Sequence, residues 1–300
     1  ALERVLGEGT YDVIWVAGVK VVPSLPFGRL PILIDLVDDE VLTYWREARR
    51  AANWVDRLRH LYRAFMHYRF ERRYYCCGDA CLVVAEPDAK AFGRVCPRVP
   101  VEVLPNGVDT GYFAPRMEQE EPATLVFEGN MSFPPNVDAV CYFAREIFPR
   151  IRREIPVARF WIVGKAPLPA VQELGEEDGI EVTGFVEDIR PYLAAATLFV
   201  SPLRKGAGIK NKVLQAWAMG KAVVATPESL GGLNARDGGN ICVRRTPDRF
   251  AEAILTLIQD ADQRVALGRA ARETVLAEYG WERKADAFHG LLERVTNGGG

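Results

Sequence analysis

The fold is decided by the stretch TLVFEGNMSFPPNVDAVCYFAREIFPRIRREIPVARFWIVG (124–164), in which a helical pattern separates two short apolar runs. The same alternation continues through IEVTG (180–184), TLFVSP (197–202) and AVVAT (222–226). Strands that alternate with helices form a parallel sheet with helices on both faces. We therefore predict a doubly wound α/β domain from Thr124 onward.

The helices of this region are predicted from apolar spacing and from their ends. Between Asn136 and Glu154, apolar residues recur every three or four positions, which is typical of a helix that packs one face on a sheet. Thr246 followed by Pro247 has the chemistry of an N-cap and a first helical turn. Two more helices are predicted at 262–279 and 281–295.

The region before Thr124 has the pattern of a second, thinner α/β domain. Its predicted strands are YDVIWVAG (11–18), ILIDLV (32–37), CLVVAE (81–86) and VEVLP (101–105), with one long helical stretch at 41–75. Doubly wound domains usually have about five or six strands, so we expect this domain to be incomplete at its N-terminus. The charged segment RMEQEEPA (116–123) is typical of a linker.

Composition limits the classes of protein. The 300 residues carry 40 acidic and 38 basic side chains, a net charge of −2, which excludes a whole-molecule attraction to nucleic acid. The six cysteines and three histidines lack the spacing of metal ligands, so we expect no metal, reduced thiols and a cytoplasmic protein. No apolar run approaches the ~18 residues of a membrane span.

The segment SPLRKGAGIKNK (201–212) concentrates positive charge where a strand gives way to a helix. Backbone N–H groups of a glycine-rich turn and a helix N-terminus bind anions, and parallel sheets bind ligands at the carboxyl ends of their strands. The segment therefore indicates a diphosphate site, although solvated cations on a surface turn would give the same pattern. The residues concerned are Arg204, Lys205, Gly206, Gly208, Lys210 and Lys212.

Two other phosphate-binding motifs fit this turn poorly. A P-loop needs Ser or Thr directly after its lysine, and none is present. A dinucleotide fingerprint would use Gly206, Gly208 and Glu228, but Asn211 occupies the position of the third glycine, and the motif belongs to the first strand of its domain. A nicotinamide oxidoreductase is therefore a separate hypothesis, which predicts that NADH binds at this turn. We expect no NADH binding.

Four ordered motifs resemble glycosyltransferase family 4, and in particular its bacterial branch in exopolysaccharide and cell-envelope assembly. They are LPNGVD (104–109), FEGNMSFPPNVDAV (127–140), VTGFVEDIRPYLAAA (182–196) and KGAGIKNKVLQAWAMGKAVVAT (205–226). The resemblance implies the GT-B fold, with two Rossmann-like domains of parallel sheets facing a cleft. It implies an acceptor-side domain at 1–117, truncated at its start, a nucleotide-sugar domain at 123–280, and a C-terminal helix at 281–297 that crosses back to the first domain.

The resemblance also assigns roles around the cationic turn. Lys210, Lys212 and Arg204 would stabilise the departing diphosphate of the donor, with Lys205, Gly206 and Gly208 binding it. Gln215 and Ala207 stand where the family has two glutamates. The amide of Gln215 can still accept a hydrogen bond from a ribose hydroxyl, or it is an ordinary polar helix residue.

Further donor contacts are expected at the ends of two other strands. Gly129 and Asn130 would approach phosphate or sugar, or simply end a strand, with Asn136 capping the next helix. Gly184, Phe185 and Val186 resemble the loop that reads the nucleobase in the family. Phe185 is either a stacking wall or a core residue, and core is the commoner role for an isolated aromatic.

On the acceptor side, ILIDLVDDE (32–40) places four acids towards the end of a strand that would face the cleft: Asp35, Asp38, Asp39 and Glu40. Carboxylates there can bind or polarise acceptor hydroxyls, whereas for Asp38 and Asp39 helix capping is an equal alternative. The family resemblance implies a front-face displacement in which the departing diphosphate takes the acceptor proton.

The stretch 41–75 contains nine arginines and three acids, interleaved with aromatic residues. This composition suits the surface of an anionic membrane, but it also suits aromatic residues packed on a sheet beneath solvated arginines. Nucleic acid is not expected, because no readout motif is present.

The sequence thus predicts a retaining transferase without a cofactor. It would move a sugar from a nucleoside diphosphate, with UDP or GDP as the leaving group, to a glycan or lipid-linked acceptor. We place it in the cytoplasm or at the inner membrane face. The absence of both glutamates keeps open a catalytically silent partner subunit that only binds donor.

Overall fold

The computed structural model of the chain describes residues 2–18, 21–116, 120–205 and 211–297. The chain divides into two compact units. Unit 1 comprises Ala1–Asn106 with Glu282–Gly300, and unit 2 comprises Gly107–Trp281. Each contains one parallel sheet, so the α/β class is confirmed. The domain limits drawn from the sequence stay predictions.

Unit 1 is built on a four-stranded sheet with the order β1-β2-β3-β4. The strands lie within the predicted segments, except that β3 begins one residue earlier. They are β1 (Ile14–Ala17), β2 (Ile32–Val37), β3 (Ala80–Val83) and β4 (Val101–Val103). The helices of this unit are α1 (Leu2–Glu8), α2 (Glu40–Arg50), α3 (Trp54–Tyr74), α4 (Glu86–Val95) and α12 (Trp281–Asn297), of which the first residue, Trp281, belongs to unit 2.

The predicted helical stretch 41–75 forms two helices, α2 and α3, instead of one. The backbone turns extended at Ala51, which ends α2. Asn53 then caps α3, since its side-chain oxygen accepts a hydrogen bond from the Asp56 N–H at 2.8 Å. An asparagine cap supplies an acceptor for the first N–H groups of a helix, so the break has a local cause.

Two of the cysteines form a disulfide, which corrects the expectation of six reduced thiols. Cys76 and Cys96 are bonded across 20 residues, with their Cα atoms 5.0 Å apart. Cys76 follows the end of α3, Cys96 follows the end of α4, and both lie in the apolar cluster beneath the sheet. The spacing of the two cysteines in the sequence carries no signal for the bond, because only the packing of α3 and α4 brings them together.

Unit 1 also buries three carboxyl groups beside β2. Asp39, Glu71 and Asp88 are at most 3% exposed. Asp39 accepts a hydrogen bond from the Leu42 N–H at 2.6 Å, whereas neither carboxyl oxygen of Glu71 has a hydrogen-bond partner among the described residues. Burial, with the charges of Asp39 and Glu40 nearby, raises the pKa of Glu71 to about 8.

Unit 2 is built on a six-stranded sheet with the order β10-β9-β8-β5-β6-β7. Its strands are β5 (Glu121–Glu128), β6 (Arg159–Val163), β7 (Ile180–Gly184), β8 (Ala196–Ser201), β9 (Val223–Ala225) and β10 (Cys242–Val243). The two-residue β10 was not predicted. The order reverses between β5 and β8, which is the position where doubly wound sheets open a crevice at their carboxyl edge.

Helices cover both faces of this sheet, as predicted. They are α5 (Pro134–Tyr142), α6 (Phe148–Glu154), α7 (Pro169–Gln172), α8 (Arg190–Ala195), α9 (Asn211–Ala218), α10 (Pro247–Gln259) and α11 (Ala261–Glu278). A π-helical turn at Phe143–Ile147 joins α5 to α6, so the helix predicted at 136–154 is divided. The Thr246 cap is confirmed, since its side chain accepts from the Arg249 N–H.

The segment before β5 belongs to unit 2. The Val108 N–H donates to the Tyr279 carbonyl at 2.8 Å, and the last three residues of the predicted linker, 121–123, lie in β5. Among the described residues, no helix combines the length and the apolar character that crossing a bilayer demands.

The buried carboxyl of Glu71 makes unit 1 sensitive to pH. In the folded unit Glu71 keeps its proton up to about pH 8, whereas its ordinary pKa is 4.5. The free energy of unfolding is highest below the ordinary pKa and falls as the pH rises towards the folded pKa, because over that range only the unfolded chain releases the proton. Above the folded pKa the loss is complete. We expect Glu71→Gln to raise the urea midpoint of unit 1 at pH 8 relative to the wild type.

The matched control is Glu86→Gln, at the start of α4, where the side chain is exposed. It should follow the wild-type pH dependence, while Glu71→Gln should flatten it. Parallel curves for all three proteins between about pH 5 and pH 8 would contradict the assignment.

Candidate functional site

A hollow of about 410 Å³ opens in unit 2 at the carboxyl ends of β5 and β8. It lies at the reversal of strand order and is within the usual range of ligand sites, roughly 300–1,000 Å³. Five residues predicted from the sequence meet in it: Gly129, Asn130, Lys205, Lys212 and Gln215. The other lining residues are Glu128, Phe133, Pro135, Asn136, Leu203 and Asn211.

Lys212 crosses from the start of α9 to the end of β5. Its Nζ donates hydrogen bonds to the Glu128 backbone carbonyl at 2.6 Å and to Asn136 Oδ1 at 2.9 Å. The same ammonium lies 4.0 Å from the centre of the Phe127 ring, a favourable cation–π contact. These neutral partners fix a positive charge at the wall of the hollow.

Asn136 positions this lysine and does not cap α5, contrary to the prediction. The helix begins at Pro134 with Phe133 in the cap position, which places Asn136 in the first turn. Its Nδ2 donates to the Asn130 carbonyl at 2.9 Å, so the amide group joins the turn after β5 to Lys212. Asn130 itself stabilises that turn, because its Oδ1 accepts from the N–H and hydroxyl of Ser132.

Glycine is required where β5 and β6 end. A Cβ on Gly129 would lie 2.6 Å from Asn136 Nδ2 and 2.7 Å from Lys212 Nζ. A Cβ on Gly164, where φ is +143°, would lie 1.8 Å from the Gly129 carbonyl oxygen. The close approach of these strand ends is therefore possible only without side chains at both positions.

Glu128 is a lining residue that the sequence reasoning missed. Burial raises the pKa of its carboxyl, and the charge of Lys212 opposes that rise. The sequence feature that could have identified Glu128 as a lining residue is its position directly before Gly129, at the end of a buried strand. An acid in that place can accept or donate a hydrogen bond within the hollow, depending on its protonation.

The loop after β8 is held by buried hydroxyl groups. Ser229 Oγ donates to the Ser201 carbonyl at 2.6 Å, and the Thr226 hydroxyl donates to the Leu203 carbonyl. These bonds tie the loop to the end of β9 and fix where Arg204 and Lys205 emerge. Gly206, Ala207, Gly208 and Lys210, all singled out in the sequence, lie outside the described residues.

Arg204 does not line the hollow with Lys212. Its guanidinium forms two hydrogen bonds to the Asp138 carboxylate, at 2.9 and 2.6 Å, and lies 4.5 Å from the centre of the Tyr142 ring. The bonds to Asp138 raise the pKa of Arg204 further. The sequence grouped Arg204 with the lysines, but Asp138, 66 residues away, directs it to the outer side of α5.

The expected base-reading loop follows β7, two strands from β5. The Gly164 N–H donates to the Gly184 carbonyl at 3.1 Å, and Gly184 adopts a φ of +68°. Phe185 is 75% exposed, which corrects the interpretation as a core residue, whereas Val186 packs against an apolar cluster. These three residues do not contribute to the wall of the hollow.

The acceptor-side acids lie in unit 1. Asp35 Oδ2 accepts a hydrogen bond from the Trp15 indole at 3.3 Å, and burial raises the pKa of Asp35. Asp39 is the cap of α2, so the capping alternative holds for Asp39 and not for Asp38. Asp38 Oδ1 is buried without a hydrogen-bond partner among the described residues.

The chain is similar to known glycosyltransferases. Residues 122–260 match the family described as glycosyl transferases group 1. A GDP-mannose-dependent alpha-(1-6)-phosphatidylinositol monomannoside mannosyltransferase of Mycobacterium tuberculosis is 31% identical over 225 residues, which are 66% of this chain and 56% of the relative. The chain thus spans little more than half the length of that relative.

Solved structures support the fold. Sucrose-phosphate synthase from Thermosynechococcus elongatus aligns with a TM-score of 0.76 at 19% identity, over 99% of this chain and 77% of that one. HepE of Anabaena, solved with UDP and glucose, aligns with a TM-score of 0.73 at 15% identity, over 97% of this chain and 80% of the HepE chain. The predicted GT-B fold is thereby confirmed.

The close approach of β5 and β6 predicts a large effect of one methyl group. We expect Gly164→Ala to lower the free energy of unfolding of unit 2 by roughly 2–3 kcal/mol or more, because the new Cβ must displace the Gly129 carbonyl. Urea unfolding followed by circular dichroism measures the change. Gly93→Ala is the control, since Gly93 lies within α4 and has open space around it; equal midpoints for the two variants would refute the packing argument.

Proposed function

Because the chain belongs to the group 1 glycosyltransferases, we propose that it is a retaining hexosyltransferase that uses a nucleoside-diphosphate sugar. The acceptor would be a glycan or a lipid-linked sugar of polysaccharide or cell-envelope biosynthesis. The observation that carries the proposal is the fixed ammonium of Lys212 beside the hollow at the carboxyl ends of β5 and β8.

The hollow suits the diphosphate of the donor. The Lys212 ammonium donates to the Glu128 carbonyl and to Asn136 Oδ1, and exposed Lys205 lies on the same wall. The eight-residue helix α9 begins at Asn211 on this wall, so its partial positive charge adds to that of the lysines. Lys210, Gly206 and Gly208 are included in the proposed site on the family resemblance.

In the proposed reaction the acceptor hydroxyl oxygen forms a bond to the anomeric carbon of the sugar. The bond between that carbon and the diphosphate oxygen breaks on the same face, and the hydroxyl proton passes to the departing diphosphate. Negative charge then grows on the diphosphate, where a preorganised cation stabilises the transition state most. Lys212 would serve that purpose. Arg204, which lies outside the hollow and is paired with Asp138, is included in the proposed site because of its place in the cationic turn.

We propose the donor base and the acceptor only as chemical classes. The M. tuberculosis relative is named for GDP-mannose and a phosphatidylinositol mannoside, and HepE was solved with UDP, so UDP and GDP are both candidates here. Gly184, Phe185 and Val186 would contact the base, with the exposed Phe185 ring available for stacking. Asp35 and Asp38 would bind acceptor hydroxyls.

A second function is favoured by one observation. Gln215 lines the hollow where the family has a glutamate, and a neutral amide binds a ribose hydroxyl without the assistance of charge. A chain that lacks both glutamates would bind donor but act as a silent partner subunit. Donor affinity without turnover would distinguish this function from the first.

Nucleotide release from UDP-, GDP- and ADP-sugars, with native membranes as the source of acceptor, tests the transferase. We expect Lys212→Met to lower kcat/KM by about 10²–10³-fold, as removal of one stabilising donor usually does. Lys90→Met, an exposed lysine of α4 in unit 1, should leave turnover unchanged. Release that is absent with every donor, or equal in the two variants, would refute the proposal.

The silent-subunit alternative has its own readout in calorimetry. If the wild type binds a nucleotide sugar without releasing nucleotide, and Gln215→Glu still shows no release, the second function replaces the first. Turnover by the wild type eliminates it.

A further inference from the structure

Glu128 is the last residue of β5 and lines the hollow at the carboxyl ends of β5 and β8. Side chains two residues apart on a strand point to the same face of the sheet. Val126, two residues before Glu128, is buried in the apolar cluster that contains Val213 and Leu214 of α9. The Glu128 side chain therefore points to the face that α9 covers, at the edge where Asn211 begins that helix.

The carboxyl group of Glu128 does not take part in holding Lys212. The ammonium of Lys212 bonds to the backbone carbonyl of Glu128, at 2.6 Å. Burial raises the pKa of the Glu128 carboxyl, and the charge of Lys212 opposes that rise, since a nearby cation favours the ionised form. Of the residues that the structure describes along this wall, Glu128 is the only acid.

The other polar side chains of the wall offer weaker acceptors. Asn130 Oδ1 already accepts two hydrogen bonds within its own turn, and Asn136 Oδ1 accepts one from Lys212. The ammonium groups of Lys205 and Lys212 can only donate. An ionised carboxylate accepts stronger hydrogen bonds than an amide does. A ligand that brings several hydroxyl groups therefore finds its strongest acceptor at Glu128.

A nucleoside-diphosphate sugar brings such hydroxyl groups, in adjacent pairs on its ribose and on its hexose. A hydroxyl that enters a site without an acceptor loses its bonds to water, which weakens binding. The two oxygens of one carboxylate can accept from both hydroxyls of an adjacent pair. Without such a pair, an acid beside the lysines would only repel the diphosphate.

We propose that the Glu128 carboxylate binds a pair of adjacent hydroxyl groups of the donor, on its ribose or its hexose, while Lys212 binds the diphosphate. The inference rests on the proposed function, because it needs a nucleotide-sugar site in this hollow. Glu128 then selects ligands that carry hydroxyl groups over phosphate alone. If Glu128 only balanced the charge of Lys212, its neutralisation would strengthen the binding of every anionic ligand.

Calorimetry with three ligands tests the inference. They are the UDP-, GDP- or ADP-sugar that the wild type binds most tightly, the corresponding nucleoside diphosphate, and inorganic pyrophosphate. We expect Glu128→Gln to weaken binding of the nucleotide sugar about tenfold, because the charge-assisted bonds to its hydroxyls are lost. The affinity for pyrophosphate should stay the same or rise, since a negative charge has been removed.

The nucleoside diphosphate identifies the source of the hydroxyl pair. If Glu128→Gln weakens it as much as the nucleotide sugar, the pair belongs to the ribose. If the loss is confined to the nucleotide sugar, the pair belongs to the hexose. The matched control is Glu154→Gln, at the exposed last residue of α6, for which all three affinities should equal those of the wild type.

Two results would overturn the inference and leave the proposed function standing. One is binding of the nucleotide sugar by Glu128→Gln that is as tight as in the wild type, or tighter. The other is an equal loss for all three ligands, pyrophosphate included, which would indicate that Glu128 only supports the shape of the hollow. A wild type that binds no nucleotide sugar would instead remove the proposed function and the inference together.

Discussion

The site of unit 2 depends on one constraint, which is that two strand ends and a helix start meet around a single ammonium group. Lys212 bonds the end of β5 through the Glu128 carbonyl and bonds α5 through Asn136. Gly129 leaves the space for these bonds, and Gly164 lets β6 approach the same turn. Because each contact needs the others, the geometry is fixed before any ligand arrives, which is the condition under which a charge is most effective in catalysis.

The sequence predicted the elements well because their signals are local. Apolar runs and helical spacing identified both sheets, and topology alone put Gly129, Lys205 and Lys212 at one edge. Contacts between distant residues left no such signal. Asp138 takes Arg204 from 66 residues away, and Asn136 meets Lys212 across 76, so neither partner could be assigned from spacing.

Unit 1 shows how packing changes the chemistry of ordinary residues. Cys76 and Cys96 have no motif in the sequence, yet the ends of α3 and α4 bring them together as a disulfide. Glu71 follows the helical pattern as an acid among arginines, yet the fold buries it beside Asp39. In both cases the local sequence describes the helix correctly, and only the position of the helix on the sheet determines whether the side chain is ionised or bonded.

Net charge is a poor guide to this chain because its charges are arranged differently in the two units. In unit 2, Arg204 forms an ion pair with Asp138, Arg152 with Asp178, and Arg190 with Asp188. In 41–75 the arginines outnumber acids nine to three and lie beside aromatic rings. The nine arginines of this stretch, which forms the basic helix pair α2 and α3, exceed its three acids by six, so a total of −2 means that the rest of the chain carries a net charge of −8. Since fields at a surface fall off within about 10 Å in salt, an anionic surface near α3 meets the basic pair and not the total.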